Sequence, residues 1–442
     1  MIKKILALAL TAAGLAASVQ AQTINKPRLD SLLNVLAANN KSMGSLAISQ
    51  NGQIVYQKSI GNAAIDSPAT IPATAKTKYR IGSISKMFTG VMVMQLVEEG
   101  KLTLETTLDK FYPQVPNAAK ITIGMMLNHH SGLHNFTNDP AYNTYMLAPQ
   151  THEQLLARIA AMKPDFEPGS KAQYSNTNFV LLSYVIEKIT QKSYAELVKQ
   201  RVVNKIGLKD TYYGVKTNTA NNEALSYTYD GKWNKFAETD MSIPSGAGAM
   251  VSTPADLDKF IESLFAGKLV KPATLELMKT MKDGYGMAMF LTINGDKQSY
   301  GHGGAIDAYR SELAYFPVEK IAICYISNGG SYGIDKIFKG VKSIVLNQTY
   351  TIPTFKTLAL KTEDLDKYLG VYTSPDFPVK ITMSKDNTTL VGTAAGQSAI
   401  KFDAVAKNVF EFEPYDIHLE FDVDKGQFIL TQRGKITVFT KE

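Results

Sequence analysis

One stretch organises the chain: Tyr79-Arg80-Ile81-Gly82-Ser83-Ile84-Ser85-Lys86-Met87-Phe88-Thr89-Gly90. It contains a Ser-x-x-Lys pair, Ser83 and Lys86, and residues 87–99 after it are apolar on nearly every side and stop at Gly100. A helix that is apolar all round is a buried helix, and glycine favours its C-terminal end. We therefore expect Ser83 where a buried helix begins, with the Lys86 amine one turn further on and on the same face.

This placement suits a nucleophile. A serine hydroxyl attacks a carbonyl when a neighbouring group takes its proton, and a lysine can do so if burial lowers its pKa. The unpaired N–H groups at a helix N-terminus also favour developing negative charge. Ser-x-x-Lys by itself is common on solvated helix faces, so its interpretation depends on the rest of the chain.

Composition narrows the class of protein. The chain has 442 residues, enough for more than one domain, and its 45% hydrophobic and 20% charged residues are typical of a globular protein. The net charge of +7 is spread without a long basic run, which argues against a nucleic-acid partner. No metal-ligand cluster and no organic cofactor are indicated, so the expected partner is a small-molecule or peptide substrate. The oligomeric state is left open.

The N-terminus has the pattern of a secretory signal peptide. A basic Met1-Ile2-Lys3-Lys4 precedes an apolar run at 5–19, and small residues lead to Ala21. We predict cleavage after Ala21 and a periplasmic location, because the run is short for a bilayer span and no lipid-accepting cysteine follows. The only cysteine, Cys324, lies in an apolar run and is expected in the core without a disulfide.

The order of helical and strand patterns predicts an α+β fold, an antiparallel sheet flanked by helices plus a helical subdomain. Strands are expected at 45–56, around an Asn51-Gly52 hairpin turn, and in a meander that starts at Tyr285. A proline-containing linker at 350–360 precedes about eight short strands at 361–442, which fit a small closed barrel or sandwich. The predicted domains are therefore 22–349 and 361–442.

Tyr174-Ser175-Asn176 forms a second motif, in a loop that opens a helix. A tyrosine beside a lysine can have its pKa lowered by the positive charge, so Tyr174 is a candidate general base for Ser83. The amide of Asn176 can hold a substrate carbonyl and contact Lys86. Taken alone, a Tyr-x-Asn pair is common, and its tyrosine would be a packing residue.

A third motif, His302-Gly303-Gly304-Ala305, lies in a strand pattern. Two neighbouring glycines in a strand indicate a bulge or the close approach of another backbone, such as an extended substrate. The N–H groups of Ala305 and Ser83 could then form a two-donor oxyanion hole. Taken alone, the motif would be a structural bulge with an exposed histidine.

Together these motifs resemble the serine β-lactamase and D-alanyl-D-alanine carboxypeptidase superfamily, in particular its class C β-lactamase-like branch. Five motifs in family order carry the resemblance: Tyr79-Arg80-Ile81-Gly82-Ser83-Ile84-Ser85-Lys86, Leu127-Asn128-His129-His130-Ser131-Gly132-Leu133, Tyr174-Ser175-Asn176-Thr177-Asn178, Gly246-Ala247-Gly248-Ala249-Met250-Val251-Ser252-Thr253, and Gly301-His302-Gly303-Gly304. The resemblance covers about 27–347. It implies Ser83 as nucleophile, Lys86 and Tyr174 as the proton-handling pair, and Asn176 as a substrate-positioning residue. It gives His129 and His130 a structural role.

The third motif departs from the family pattern, which is often Lys-Thr-Gly or Lys-Ser-Gly. Such a lysine and hydroxyl attract a substrate carboxylate, whereas His302 offers a mostly neutral imidazole near neutral pH. This difference weakens the case for a β-lactamase or a strict carboxypeptidase, and it leaves esterases, D-amino-acid amidases and peptidases open. The segment that begins near Leu369-Gly370-Val371-Tyr372 resembles the lipocalin-like barrel appended to some of these hydrolases.

We therefore expect an exported serine hydrolase that cleaves an amide or ester through an acyl-enzyme on Ser83. The alternatives are a penicillin-binding or sensor-like protein that acylates without turnover, a true β-lactamase, and a protein whose C-terminal barrel binds a lipophilic ligand.

Overall fold

The computed structural model describes residues 23–65, 69–355, 357–412, 415–432 and 434–442. The predicted signal peptide at 1–21 lies outside these residues. Within them the α-helices are α1 (Lys26–Ala38), α2 (Ser85–Glu98), α3 (Ile123–Leu127), α4 (Tyr142–Tyr145), α5 (His152–Ala161), α6 (Asn176–Thr190), α7 (Tyr194–Val198), α8 (Asn204–Ile206), α9 (Ser245–Gly248), α10 (Pro254–Phe265), α11 (Pro272–Lys279) and α12 (Ile334–Val345).

The strands of the N-terminal part are β1 (Ser42–Gln50), β2 (Gln53–Ile60), β3 (Asn62–Ala64), β4 (Ile71–Pro72), β5 (Tyr79–Arg80), β6 (Tyr212–Tyr213), β7 (Tyr227–Tyr229), β8 (Trp233–Lys235), β9 (Met250–Ser252), β10 (Phe290–Asn294), β11 (Lys297–Ile306), β12 (Tyr309–Phe316) and β13 (Ile321–Gly330). Those of the C-terminal part are β14 (Gly370–Ser374), β15 (Phe377–Asp386), β16 (Thr389–Ala394), β17 (Ile400–Ala406), β18 (Val409–Phe412), β19 (Ile417–Asp422), β20 (Gln427–Gln432) and β21 (Lys435–Lys441).

The central sheet has the order β10-β11-β12-β13-β1-β2, and each of these neighbours is antiparallel. The predicted antiparallel α+β fold is therefore confirmed. The hairpin turn between β1 and β2 lies at Asn51-Gly52 as expected, and both residues take the positive φ that such a turn requires. The meander begins later than predicted. Residues 285–289 form no strand because Ala288 has a φ of 62° and the N–H of Gly286 donates back to the carbonyl of Met289.

Helices cover both faces of the sheet, so β13 is buried on both sides. Ile323 and Tyr325 pack with α1 and α12 on one face, whereas Ala322 and Cys324 belong to the larger core on the other face, which includes α10 and α2. A strand covered twice is apolar along its whole length rather than alternating. Cys324 is fully buried, as its apolar surroundings predicted.

The helix after Ser83 is buried as expected, since every residue from 85 to 96 lies in the interior. Ser83 itself lies one step earlier, in a single 3₁₀ turn, Gly82–Ile84, from which α2 continues. A small sheet, β5-β9-β6, holds the chain that leads into this turn, and Arg80 pairs with Val251 there. The nucleophile candidate is thus fixed from both directions, by a buried helix and by a paired strand.

Strands β14 to β21 close into an eight-stranded antiparallel barrel, which confirms the predicted small all-β barrel. Aromatic side chains fill its interior, among them Tyr372, Phe421, Phe428 and Phe439. The rings of Phe428 and Phe439 stack with centroids 4.9 Å apart. A filled interior argues against the lipophilic-ligand alternative, because a barrel of eight strands holds either side chains or one small ligand. The boundaries at 350–360 stay a prediction. Among the helices of the described ranges, none is both long and apolar enough to cross a membrane.

Candidate active site

Ser83 is contacted by two polar groups, one three residues away in the sequence and the other 91 residues away. Its Oγ lies 2.9 Å from the Nζ of Lys86, one helical turn along α2. It lies 2.8 Å from the hydroxyl of Tyr174, which belongs to the loop before α6. The first two sequence motifs therefore meet at one oxygen atom.

The amine of Lys86 is fully buried and has three polar neighbours. Besides Ser83, these are the Oδ1 of Asn176 at 2.7 Å and the carbonyl of Ala247 at 2.8 Å. Those two oxygens are acceptors only. A neutral amine has two N–H groups and one lone pair, so it can donate to both of them and accept from the Ser83 hydroxyl. Burial lowers the pKa of Lys86 well below its usual range, which favours this neutral form.

Tyr174 donates its hydroxyl to Ser83 and is itself half-buried. Burial raises the pKa of Tyr174 above its ordinary value, and the hydrogen bond with Ser83 offsets this only in part. The expectation that Lys86 lowers the pKa of this tyrosine is therefore wrong. The physical reason is that burial disfavours charge on both groups at once, so no lysine charge outweighs the burial of the phenol.

His129 packs against Tyr174 and the residue that follows it. Its ring stacks on the Tyr174 ring with centroids 4.5 Å apart, and its Nδ1 accepts the N–H of Ser175 at 3.1 Å. Burial, followed by the nearby Lys86, lowers the pKa of His129, which keeps this nitrogen free to accept. His130 instead bonds Asp283 through Nε2 at 2.9 Å. The contact between His129 and Tyr174 could not be read from the motif, because the two residues are 45 positions apart.

The glycines of the third motif do not form a bulge. Strand β11 pairs with β12 in unbroken register from Tyr300 to Ile306. The close approach is made by this chain's own backbone, since a Cβ on Gly304 would lie 2.1 Å from the carbonyl oxygen of Ile81. Gly304 is therefore needed where β11 passes beside the segment that carries Ser83.

Ala305 presents its N–H at an open strand edge. Strand β10 pairs with β11 only as far as Gly301, within the residues described for both strands. Ile306 and Tyr309 pair across a two-residue turn, so the alternation of an antiparallel ladder directs the N–H of Ala305 away from β12. Gly82 lies alongside, since a Cβ there would be 2.7 Å from the Ala305 nitrogen. Ser83, the residue after Gly82, therefore lies close to Ala305, and the N–H groups of these two residues are the candidate oxyanion donors.

His302 is a buried, uncharged member of the site. Its ring packs edge-on against Phe290 with centroids 4.8 Å apart, and its Nδ1 lies within hydrogen-bond distance of the Gly303 carbonyl. Burial, and then the proximity of Lys86, lowers the pKa of His302 to about 3. The imidazole is therefore neutral near physiological pH. No group of three or more His, Cys, Asp or Glu side chains in the described part of the chain is arranged to hold a metal ion.

Asn176 joins two parts of the site. Its Oδ1 accepts from Lys86, and its Nδ2 donates to the hydroxyl of Thr137 at 3.1 Å. The carbonyl of Ala247, the third neighbour of Lys86, was not predicted from the sequence. It lies in a quoted motif, but a backbone acceptor leaves no side-chain signal from which its role could be inferred.

Comparisons with known proteins show that the chain has relatives of known sequence and structure. The sequence model of the Beta-lactamase family matches residues 34–336. The chain is 24% identical over 441 residues to Penicillin-binding protein 4* of Bacillus subtilis (strain 168), an alignment that covers 92% of this chain and 97% of that protein. It is 28% identical over 230 residues to the teichoic acid D-alanine hydrolase of Staphylococcus aureus, covering 52% of this chain and 56% of that one.

Among solved structures, the chain is similar to the crystal structure of D-amino acid amidase from Ochrobactrum anthropi SV3 complexed with L-phenylalanine. The TM-score is 0.64 at 25% sequence identity, and the match covers 73% of this chain and 98% of the amidase. The match thus spans nearly the whole length of the amidase.

Proposed function

Because the chain belongs to the Beta-lactamase family and is a serine hydrolase of that fold, we propose that it cleaves an amide or ester through an acyl-enzyme on Ser83. The observation that carries this proposal is the position of the Ser83 Oγ, 2.9 Å from an amine and 2.8 Å from a phenol. The amine can take the hydroxyl proton, and the phenol can supply one. Acyl transfer needs both steps.

Acylation begins when the neutral amine of Lys86 takes the proton of Ser83 and Oγ forms a bond with the substrate carbonyl carbon. The carbonyl oxygen gains the electron pair and receives hydrogen bonds from the N–H groups of Ser83 and Ala305. Tyr174 then gives its proton to the leaving nitrogen or oxygen as that bond breaks, and Lys86 returns a proton to the phenolate. Asn176 holds Lys86 in place and contacts the substrate.

Deacylation uses the same two groups in the same order. The neutral amine of Lys86 takes a proton from a water molecule as the water oxygen bonds to the acyl carbon. The bond to the Ser83 Oγ then breaks, Tyr174 gives its proton to Oγ, and Lys86 returns a proton to the phenolate. The acid product leaves, and Lys86 and Tyr174 are again neutral.

The electrostatics of the site favours a substrate without a carboxylate next to the scissile bond. Lys86 has a lowered pKa, and His302 is neutral because its pKa is about 3, so neither supplies a fixed positive charge for a carboxylate. A carboxypeptidase substrate needs such a charge, whereas an amide or ester does not. Similarity to a D-amino acid amidase and to a teichoic acid D-alanine hydrolase supports a D-aminoacyl group as the acyl part.

Export to the periplasm is part of the proposal and rests on the basic and apolar pattern of residues 1–21. The test is mass spectrometry of the protein from a periplasmic fraction. We expect the mature chain to start at Gln22, and a full-length chain in the cytoplasm would contradict export.

The nucleophile is tested by intact-protein mass spectrometry and product release, with p-nitrophenyl acetate, a fluorescent penicillin and the D- and L-forms of alanine p-nitroanilide. We expect turnover of the ester and of the D-anilide that is lost in Ser83→Ala. Undiminished turnover in Ser83→Ala would contradict the proposal. An adduct that forms once and persists would indicate a penicillin-binding or sensor-like protein, and rapid penicillin hydrolysis would indicate a β-lactamase.

A further inference from the structure

A buried ion pair connects the segment before Ser83 with the turn after Ala305. The Nη1 of Arg80 lies 3.0 Å from the Oδ2 of Asp307, and the two side chains are 3% and 0% exposed. Arg80 precedes the nucleophile by three residues on β5. Asp307 follows Ala305 by two residues, in the turn between β11 and β12. The pair therefore spans the two segments whose N–H groups face the candidate oxyanion position.

A third segment locks this pair. The N–H of Thr239 donates to the other Asp307 oxygen at 2.9 Å, and the Thr239 carbonyl accepts from Arg80 at 2.7 Å. Arg80, Asp307 and the Thr239 backbone thus form a closed ring of charge-assisted hydrogen bonds, the strong kind. Asp307 also has a φ of 52°, in the left-handed region that aspartate adopts in turns more readily than most other non-glycine residues.

The guanidinium has a second arm that leads elsewhere. Its Nη2 pairs with the Oε2 of Glu238 at 2.8 Å and donates to the carbonyl of Val215 at 3.3 Å. Glu238 in turn accepts the N–H of Thr217 at 3.1 Å. This arm holds the 215–217 segment, which has no connection through these bonds to β11. The same arginine thus offers a built-in control.

The segments that carry the two N–H groups run in close backbone contact, which leaves little room for approach but does not by itself oppose separation. A Cβ on Gly82 or Gly304 would collide with the opposite backbone, at 2.7 Å from Ala305 and 2.1 Å from Ile81, so the segments are already in contact. Ser311 adds a hydrogen bond of 2.8 Å from its hydroxyl to the Ile81 carbonyl. Arg80–Asp307 is the ionic link that resists separation at the turn end.

We propose that Asp307 is a positioning residue, which through Arg80 holds the Ala305 N–H at the correct distance from the Ser83 N–H. The proposal rests on the proposed function, since it concerns the oxyanion hole of that reaction. A buried ion pair adds little net stability, because desolvation offsets the attraction. Its effect on the alignment of two donors is larger, since small displacements of catalytic groups reduce rates strongly.

The test compares Asp307→Asn with Glu238→Gln. Each change removes one carboxylate charge from the same guanidinium, but only the first releases the β11–β12 turn. With a p-nitrophenyl ester we expect Asp307→Asn to lower kcat by about 10- to 100-fold with KM changed less than about twofold. Glu238→Gln is expected to change kcat by less than about threefold. Thermal unfolding verifies that both variants are folded.

The affinity for a boronic acid is a second measurement, and a purely structural role of Asp307 would leave it unchanged. The boronic acid adds to the Ser83 Oγ to give a tetrahedral adduct with an oxygen in the oxyanion position, so its affinity reports on the two N–H donors. We expect its affinity to fall in Asp307→Asn by the same factor as kcat. Asp307→Glu restores the charge and should recover part of both. If Asp307→Asn does not fold, Arg80→Lys, which keeps the charge but loses the fork, should shift kcat and boronate affinity in the same direction.

Two results would overturn the proposal: equal losses in Asp307→Asn and Glu238→Gln, or a loss of kcat with unchanged boronate affinity. Failure of the proposed function has a different signature. In that case Ser83→Ala would retain activity in the otherwise unaltered protein, whatever the Asp307 variants do.

Discussion

At the scale of single residues, burial shifts the pKa values of Lys86 and Tyr174 in opposite directions. Burial lowers the pKa of Lys86 and raises the pKa of Tyr174, because in each case it disfavours the charged form. Both groups are therefore held neutral around the hydroxyl of Ser83. A neutral amine is a base and a neutral phenol is an acid, which are the two functions that acylation needs.

The pH dependence of kcat/KM follows from these shifts. The Lys86 amine acts when deprotonated, so activity rises with pH through its lowered pKa and reaches a plateau below the pH that an ordinary lysine would require. The Tyr174 phenol loses its proton only above its raised pKa, so no alkaline decline is expected up to about pH 10. Ester hydrolysis between about pH 5 and pH 10 checks this.

Tyr174→Phe is the control for that profile. It should reduce the rate at every pH and leave the acidic limb in place, because that limb belongs to Lys86. Disappearance of the acidic limb in Tyr174→Phe would instead assign that limb, and with it the base role, to the tyrosine.

His129 is predicted to support the Tyr174 loop. In His129→Phe the ring remains, but the N–H of Ser175 loses its acceptor, and an unsatisfied buried donor costs about 1–3 kcal/mol. Urea denaturation measures that loss. His129→Asn is the matched control, because asparagine tolerates the φ of 63° found here and can still accept, so its loss should be smaller. A larger loss in His129→Asn than in His129→Phe would show that the ring, rather than its nitrogen, is what matters.

Much of the site was predictable at this scale, and the limits have a common cause. The spacing of Ser83 and Lys86 and the neutral state of His302 followed from residue types. The pKa direction of Tyr174 did not, because burial depends on tertiary packing. The Ala247 carbonyl and the Arg80–Asp307 pair were also missed, since they link segments more than 150 residues apart.

At the scale of elements, the contact between β11 and the segment before Ser83 decides the shape of the site. We expect Gly304→Ala to lower kcat/KM by at least tenfold, because its Cβ would meet the rigid Ile81 carbonyl at 2.1 Å and displace Ala305. Gly303→Ala should cost less. Its Cβ would meet only the end of the Glu312 side chain, at 2.8 Å, and that side chain can move. Esterase assays on both variants test the ranking, and a larger loss in Gly303→Ala would contradict it.

Strands were predicted correctly where a hairpin turn marks them. The prediction was ambiguous where glycines in a strand could indicate either a bulge or a close backbone approach. The Asn51-Gly52 turn predicted the β1–β2 hairpin. In β11, sequence reasoning offered a bulge or a close backbone approach, and only the fold could choose the second. Tyr285 was expected in a strand, but the positive φ of Ala288 ends that pattern.

At the scale of the whole molecule, the chain combines the hydrolase fold with a filled barrel. The barrel contacts both the hydrolase part and the predicted linker: Lys41 lies 3.5 Å from Asp403, and the N–H of Leu358 donates to the Ala404 carbonyl at 2.7 Å. Pattern and length predicted the barrel, but not that its interior would be packed with rings, since the same alternation suits an empty lumen.

The predicted division at 350–360 can be tested calorimetrically. Phe428→Ala removes a fully buried ring from the barrel, and such changes cost about 3–5 kcal/mol. We expect two unfolding transitions in the full chain, of which only one shifts in this variant while ester hydrolysis is retained. A single transition that shifts as a whole, with loss of activity, would contradict two separate domains. Leu390→Ile, a volume-conserving change in the same interior, is the control and should shift neither transition appreciably.

Because Cys324 is buried, the reactivity of the only thiol in the chain reports on opening of the central sheet. The Cys324 sulfur lies beneath α10, and burial raises the pKa of the thiol, so a thiol reagent can react only after the layers separate. The rate of modification under native conditions therefore reports how often the layer that includes α2, the helix after Ser83, opens. If acylation of Ser83 tightens this layer, the rate of Cys324 modification should fall. The native thiol serves as the reporter, so no label has to be introduced beforehand.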